Sequence, residues 1–327
     1  MFLRITNILT LVASVLLLVA LSAEIIYPRE LATFSGAFTV ATLVVCIIYC
    51  FDFFVLMAYA KRPWYFFLRN FGILLLSIPF HWIADKLGFQ FVQAHAPCCE
   101  VIGGDTDREL EATLRSIEAC GMLGIKNMVI HSASVPEYKY PDDANAYFKA
   151  NEPFFRALIP TMEKHGVSIL FENTTLKHCG DGNYFPIYAR DLNAFVKHMD
   201  HPLFGAAWDV GHAHMDGIDH ETEILEMGKN LRAIHVHDND GKRDMHTVPF
   251  LGTLNYDSLM RGLINSGFDG YFTLEADGFF KYVRSATRMA EPNGRLAHPT
   301  LEVKRQALCL LYTIAKTILS EYGVFEE

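Results

Sequence analysis

Six short apolar segments of this chain, each a candidate strand, end in a residue able to hold a metal ion. Residues 89–94 end at His95, 127–130 at His131, 167–171 at Glu172, 204–208 at Asp209, 232–234 at His235 and 271–274 at Glu275. Helical stretches lie between them at 107–123, 143–165, 191–199, 221–229 and 256–265, and 300–320 closes the chain. In the first of these Leu110, Leu114, Ile117 and Met122 fall near helical spacing, and Gly166 stops the second. Successive β-α units with buried-type strands imply a parallel sheet with helices outside. In a β/α barrel the C-terminal ends of the strands converge on one rim, where active sites are built.

A capping acid or a buried, hydrogen-bonded His at a single strand end is ordinary. Six in succession are not, because buried acids and imidazoles need partners and a cation is the partner common to both. Further polar groups crowd beside these ends. His212 and His214 follow Asp209, His237 and Asp238 follow His235, and Asp244 and His246 come shortly after. For His214, His220 and His237 an exposed loop position is an equally good reading.

Charge divides the chain near Asp85. Residues 1–84 carry five Lys/Arg and three Asp/Glu, whereas residues 85–327 carry 23 and 34. An acidic domain argues against nucleic acid as a partner, since phosphate backbones are bound mainly through Lys and Arg. The seven cysteines form no spaced framework, which fits reduced thiols and an intracellular catalytic domain.

Before the boundary the chain reads as a membrane segment. Residues 5–23 are an almost unbroken apolar run, and 36–59 are a second, interrupted only by Asp52. A third stretch, 71–84, contains Pro79 and His81 and reads as interfacial. A cleaved signal peptide is the alternative for the first run, but a second run follows at once, which favours a helical hairpin. Arg4 and Lys61-Arg62 then place both ends on the cytoplasmic side. The sequence thus divides into a membrane segment, 1–84, and a catalytic domain, 85–327, with membrane contact through 5–59. Without that segment the domain would be cytoplasmic.

In order and spacing, the second part resembles the xylose-isomerase-like superfamily, in particular its sugar-phosphate isomerase/epimerase group, to which endonuclease IV is related. The resemblance is carried by Gln93-Ala94-His95-Ala96-Pro97, Val129-Ile130-His131-Ser132, Leu170-Phe171-Glu172-Asn173-Thr174 and Trp208-Asp209-Val210-Gly211-His212. It continues through His235-Val236-His237-Asp238-Asn239, Asp244-Met245-His246, Leu251-Gly252-Thr253-Leu254-Asn255-Tyr256 and Leu274-Glu275. It implies an α/β fold of the (β/α)8 TIM-barrel type. It also implies a metal held by Glu172, Asp209, His235 and Glu275, with Glu172 and Glu275 exchanging the substrate's protons. A mixed carboxylate and imidazole shell suits Mn, Zn, Co or Mg, and the chemistry is isomerisation or epimerisation of a sugar or sugar phosphate through an enediolate, without an organic cofactor. His95, His131, His212, Asp244 and His246 then bind substrate or further metal.

Endonuclease IV is the rival within the resemblance: its nine zinc ligands have counterparts in all nine of these residues, which would make the chain a zinc phosphodiesterase on abasic DNA. A membrane-tethered, non-catalytic sugar-binding protein is a third reading. The complete family barrel has two β-α units before the strand ending at His95, and nothing upstream of Ile83 reads as either. A gene-prediction or assembly fusion, residues 71–84 plugging the gap, or strands from another subunit of a homo-oligomer would each account for this. The sequence favours the fusion, since the other two need compensating features it does not contain.

Overall fold

The computed structural model describes residues 35–60, 62–64, 67, 89–97, 106–134, 137–179, 185–276 and 300–325. The chain divides into two compact units, Met1–Gln90 and Phe91–Glu327.

In the first unit the second apolar run is helix α1, Ser35–Tyr59. It carries a buried carboxylic acid, Asp52, next to buried Phe53. Among the described residues no helix is long and apolar enough to cross a membrane, so the expected membrane hairpin is not met there. The runs at 5–23 and 71–84 lie outside the described residues.

The second unit is built on five parallel strands: β1, Gln93–His95; β2, Asn127–Ile130; β3, Ser168–Glu172; β4, Phe204–Asp209; and β5, Leu231–His235. They pair in sequence order, β1-β2-β3-β4-β5. The crossovers are helical: α2, Thr106–Leu123; α3, Ala144–His165; α4, Leu176–Cys179; α5, Ala189–Met199; α6, Val210–Met215; and α7, His220–Met227. Helices α8, Tyr256–Ser266, and α9, Leu301–Glu321, follow. This is part of a β/α barrel, a sheet of adjacent parallel strands with helices on its outer face.

The predicted sixth strand is reduced to one parallel bridge, Val236 to Leu274. Val236 donates its N–H to Thr273 O at 2.8 Å and accepts from Glu275 N–H at 2.9 Å, enough to bring Glu275 to the rim. Among the described residues no strand precedes Gln93.

Local chemistry sets the helix ends. Asp219, Asn255 and Thr300 side chains accept N–H bonds from Thr222, Ser258 and Val303 at the starts of α7, α8 and α9. Gly166 (φ 62°) and Gly267 (φ 69°) close α3 and α8 in the left-handed conformation that favours glycine.

Strands β3 and β4 are buried along their whole length, as a sheet covered on both faces requires. Outward-facing Phe171 stacks on Phe195 of α5 (4.1 Å between ring centroids) and on Phe204 of β4 (5.4 Å), with Phe155 of α3 edge-on at 4.9 Å. On the opposite face Val129, Leu170, Ala207 and Ala233 form a small inner layer. Side chains alternate along a strand, so the residues two positions on from these, His131, Glu172, Asp209 and His235, share that inner face.

In β5 this alternation depends on a bulge. Ala206 pairs with Leu231 but Ala207 pairs with Ala233, leaving Arg232 as the extra residue. Leu231 thereby joins the outer core, while Ala233 and His235 face inward.

Candidate metal centre

Glu172 lies at the centre of the rim, its side chain 1% exposed. One of its oxygens, Oε2, is 3.1 Å from His95 Nε2 and 3.2 Å from His131 Nε2. The other, Oε1, is 2.6 Å from His235 Nδ1, which also lies 3.0 Å from Glu275 Oε2. Ligand atoms of Glu172, Asp209, His235 and Glu275 all come within 4.8 Å of one another. The same holds for His95, Glu172 and His235, and for His212, Asp244 and His246. Every residue singled out from the sequence as a site residue is therefore in one continuous cluster.

Burial disfavours a charge on Glu172, yet His235 and His131 hold its carboxyl well below the usual range. Burial likewise opposes ionisation of Asp209, but His212 and His237 bring it down to about 2. The imidazoles respond in kind. Despite burial, Asp209 and Asp244 raise His212 to about 10, and Asp244 raises His246 to about 9. Against the same desolvation, Glu172 and Glu275 raise His235 well above its ordinary value. His131 goes the other way, because desolvation outweighs the pull of Glu172.

The donor set fits a cation. Three imidazoles have Nδ1 tied to backbone carbonyls: His95 to Ala96 O at 2.7 Å, His212 to Asn173 O at 3.0 Å and His246 to Glu275 O at 3.0 Å. A carbonyl only accepts, so each Nδ1 carries the proton and donates it. In the neutral ring Nε2 is then left with its lone pair at the rim, which is how metal-binding imidazoles are held.

Several residues with no assigned role in the sequence support this cluster. Asn173 accepts the Asp209 N–H at 2.7 Å and donates its amide to Asp209 O at 3.0 Å, clasping the end of β4. Asp209 in turn caps α6 by accepting the His212 N–H at 2.7 Å. His237 is fully buried, with Nε2 at 3.1 and 3.2 Å from the two Asp209 oxygens. It stacks on His246 with ring centroids 4.0 Å apart. Gly211 makes the room, since a Cβ there would lie 1.9 Å from His237 Cε1.

Asp238 organises the following loop, accepting from Phe250 N–H at 2.9 Å, Leu254 N–H at 3.1 Å and Tyr256 O–H at 3.3 Å. The sequence signal was adjacency: Asn173, His237 and Asp238 all sit within three residues of a rim ligand. His220, by contrast, accepts from the Trp208 indole N–H at 3.3 Å, and burial lowers it to about 4. His214 bonds Thr253 Oγ1 at 2.9 Å. Both lie outside the metal-competent groups.

Residues 80–291 match the xylose isomerase-like TIM barrel family, and the chain belongs to it. It is 26% identical over 157 residues to an uncharacterized protein of Sinorhizobium fredii, covering 47% of this chain and 48% of that one. A shorter stretch, 50 residues, is 40% identical to fructoselysine 3-epimerase of Escherichia coli O157:H7, 15% of this chain and 18% of that enzyme. The chain thus spans about half the length of the first of these relatives and less of the second. Among solved structures, the IOLI protein with a binding zinc atom matches with a TM-score of 0.53 and 16% identity, over 75% of this chain and 83% of that chain. This last likeness is one of fold.

Proposed function

We propose that the chain is a divalent-metal-dependent isomerase or epimerase acting on a sugar or sugar phosphate. The observation that carries the proposal is the pair of carboxylates, Glu172 and Glu275, on one imidazole nitrogen, His235 Nδ1, at 2.6 and 3.0 Å. Glu172, Asp209, His235 and Glu275 would hold the cation, which supplies polarisation of a substrate carbonyl when bound.

The two carboxylates differ in their access to solvent. The Glu172 side chain is 1% exposed and that of Glu275 is 34% exposed. The Glu172 side chain is sealed from water, so a proton it exchanges with one face of a bound ketose is shielded from solvent. Glu275 faces the open rim and is suited to exchange its proton with solvent. His212, Asp244 and His246 lie beside them and would bind substrate hydroxyls; His95 and His131 flank Glu172 on the other side. The short match to fructoselysine 3-epimerase supports a ketose-type substrate.

The test is solvent exchange. Metal-loaded protein is incubated with a panel of ketoses and their phosphates in D2O, and deuterium is sought at the carbon next to the carbonyl. Incorporation in the wild type that is lost in Glu275→Gln supports the proposal; no incorporation into any ketose overturns it.

A second reading rests on a separate observation. The His212, Asp244 and His246 group could hold a further ion beside those of the other two groups, as in a zinc phosphodiesterase acting on abasic DNA. The excess of acidic over basic residues after residue 84 weighs against a polyanionic substrate. Cleavage of abasic-site DNA by the zinc-loaded protein would favour this second reading.

A further inference from the structure

His235 is held differently from three other imidazoles of the rim. His95, His212 and His246 tie Nδ1 to a backbone carbonyl and turn Nε2 toward the cluster. His235 instead turns Nδ1 toward Glu172 and Glu275, and its Nε2 meets the side-chain amide of Gln93, placed with Gln93 Nε2 at 2.5 Å. Gln93 opens β1 and His235 ends β5, so the contact spans the inner face of the sheet, 142 residues apart in sequence.

The chemistry of that contact is restrictive. A His235 that gives its Nδ1 lone pair to a cation carries its proton on Nε2, and so does the doubly protonated ring. In both states Nε2–H is a donor and needs an acceptor. The oxygen and nitrogen of a carboxamide exchange places by a half-turn, so the amide of Gln93 meets this need with Oε1. No other partner for His235 Nε2 occurs among the described residues.

We propose that Gln93 is a positioning residue for the metal centre: its Oε1 accepts the His235 Nε2–H and thereby fixes Nδ1 as the atom offered to the cation. The assignment rests on the metal-binding reading of the rim. It also has a consequence that His95, His212 and His246 lack. Their supporting acceptors are backbone carbonyls, which substitution does not remove, whereas the support of His235 is a side chain. Ligand support of this kind is worth about 10- to 100-fold in metal affinity.

The experiment uses the full-length, chelated protein titrated with Co(II). Visible absorption and calorimetry give the affinity, and the proton spectrum of the Co(II) form reports hyperfine-shifted imidazole N–H signals. Gln93→Leu removes the acceptor and Gln93→Glu keeps one. The expected result for Gln93→Leu is a Co(II) Kd raised about 10- to 100-fold. One imidazole N–H signal is lost to solvent exchange, while the chelated protein keeps a cooperative melting transition. Gln93→Glu is expected to keep both the signal and an affinity no weaker than wild type.

Wild-type uptake of Co(II) with an unchanged Gln93→Leu affinity and signal overturns the assignment alone. Should Gln93→Leu fail to fold, loss of the signal in Gln93→Glu overturns it equally. A wild type that takes up no Co(II) overturns the metal reading and this assignment together.

Discussion

Glu275 is the residue on which the proposed chemistry turns, because it combines a place on His235 Nδ1 with an open path to solvent. Replacing it with Gln keeps one oxygen able to bind a cation but removes the base. Proton exchange in Glu275→Gln is expected to fall by about 10²- to 10⁴-fold, with metal content largely kept. Comparable losses of both would instead make Glu275 a ligand only. Gly211 is the second informative position. The Cβ of Gly211→Ala would fall on the His237 ring, pushing it from Asp209. The expected result is a metal affinity lower by about 10- to 100-fold, measured by competition with a chelating dye; wild-type affinity would mean that His237 does not support Asp209. The rim ligands were legible as strand-end residues. Their supports were less so, because Gln93, Asn173 and His237 act through space on residues whose protonation no sequence pattern records.

Among the elements, β3 carries the most. Phe171 sits between Phe195 and Phe204 on the outer face, while Glu172 next to it faces the rim. Phe171→Ala opens a cavity behind the central ligand and is expected to destabilise the fold by about 3–5 kcal/mol in denaturant unfolding. A loss below about 1 kcal/mol would mean that the aromatic stack collapses around the gap. Helix bounds were readable to within a residue or two where a glycine or a capping side chain ends the element, as at Gly166, Gly267 and Thr300. Helix α6 was not readable. Its six residues, Val210–Met215, include a glycine and two histidines, so no apolar period marks it, and only the capping of His212 N–H by Asp209 shapes it. The bulge at Arg232 was equally silent, since it exists only in the pairing with β4.

The whole molecule should carry the mark of its site in its pH dependence. In the metal-free protein imidazolium–carboxylate pairs hold the rim together. His212 and His246 are raised from 6.5 to about 10 and about 9, so their contribution is full below about 6.5 and is lost as pH rises through 9 to 10. Asp209 is lowered from 3.8 to about 2, so its contribution is full above about 3.8 and is lost as pH falls through about 2. Chelated protein is therefore expected to lose melting temperature from neutral pH upward. Metal-loaded protein should gain on it over the same range, as fewer protons compete for the imidazoles. A gap between the two forms that stays constant with pH would contradict this. At this scale the sequence showed a charge divide and a barrel domain, while the membrane reading of residues 1–84 rested on apolar length and the flanking Arg and Lys residues.

The most direct test of the account is the metal content of the purified full-length protein, measured by elemental analysis against a chelated control. The account predicts one divalent ion per chain, lost on substitution of Glu172. Two or three zinc ions would move the rim to phosphodiester chemistry, and no metal above the control would contradict the account.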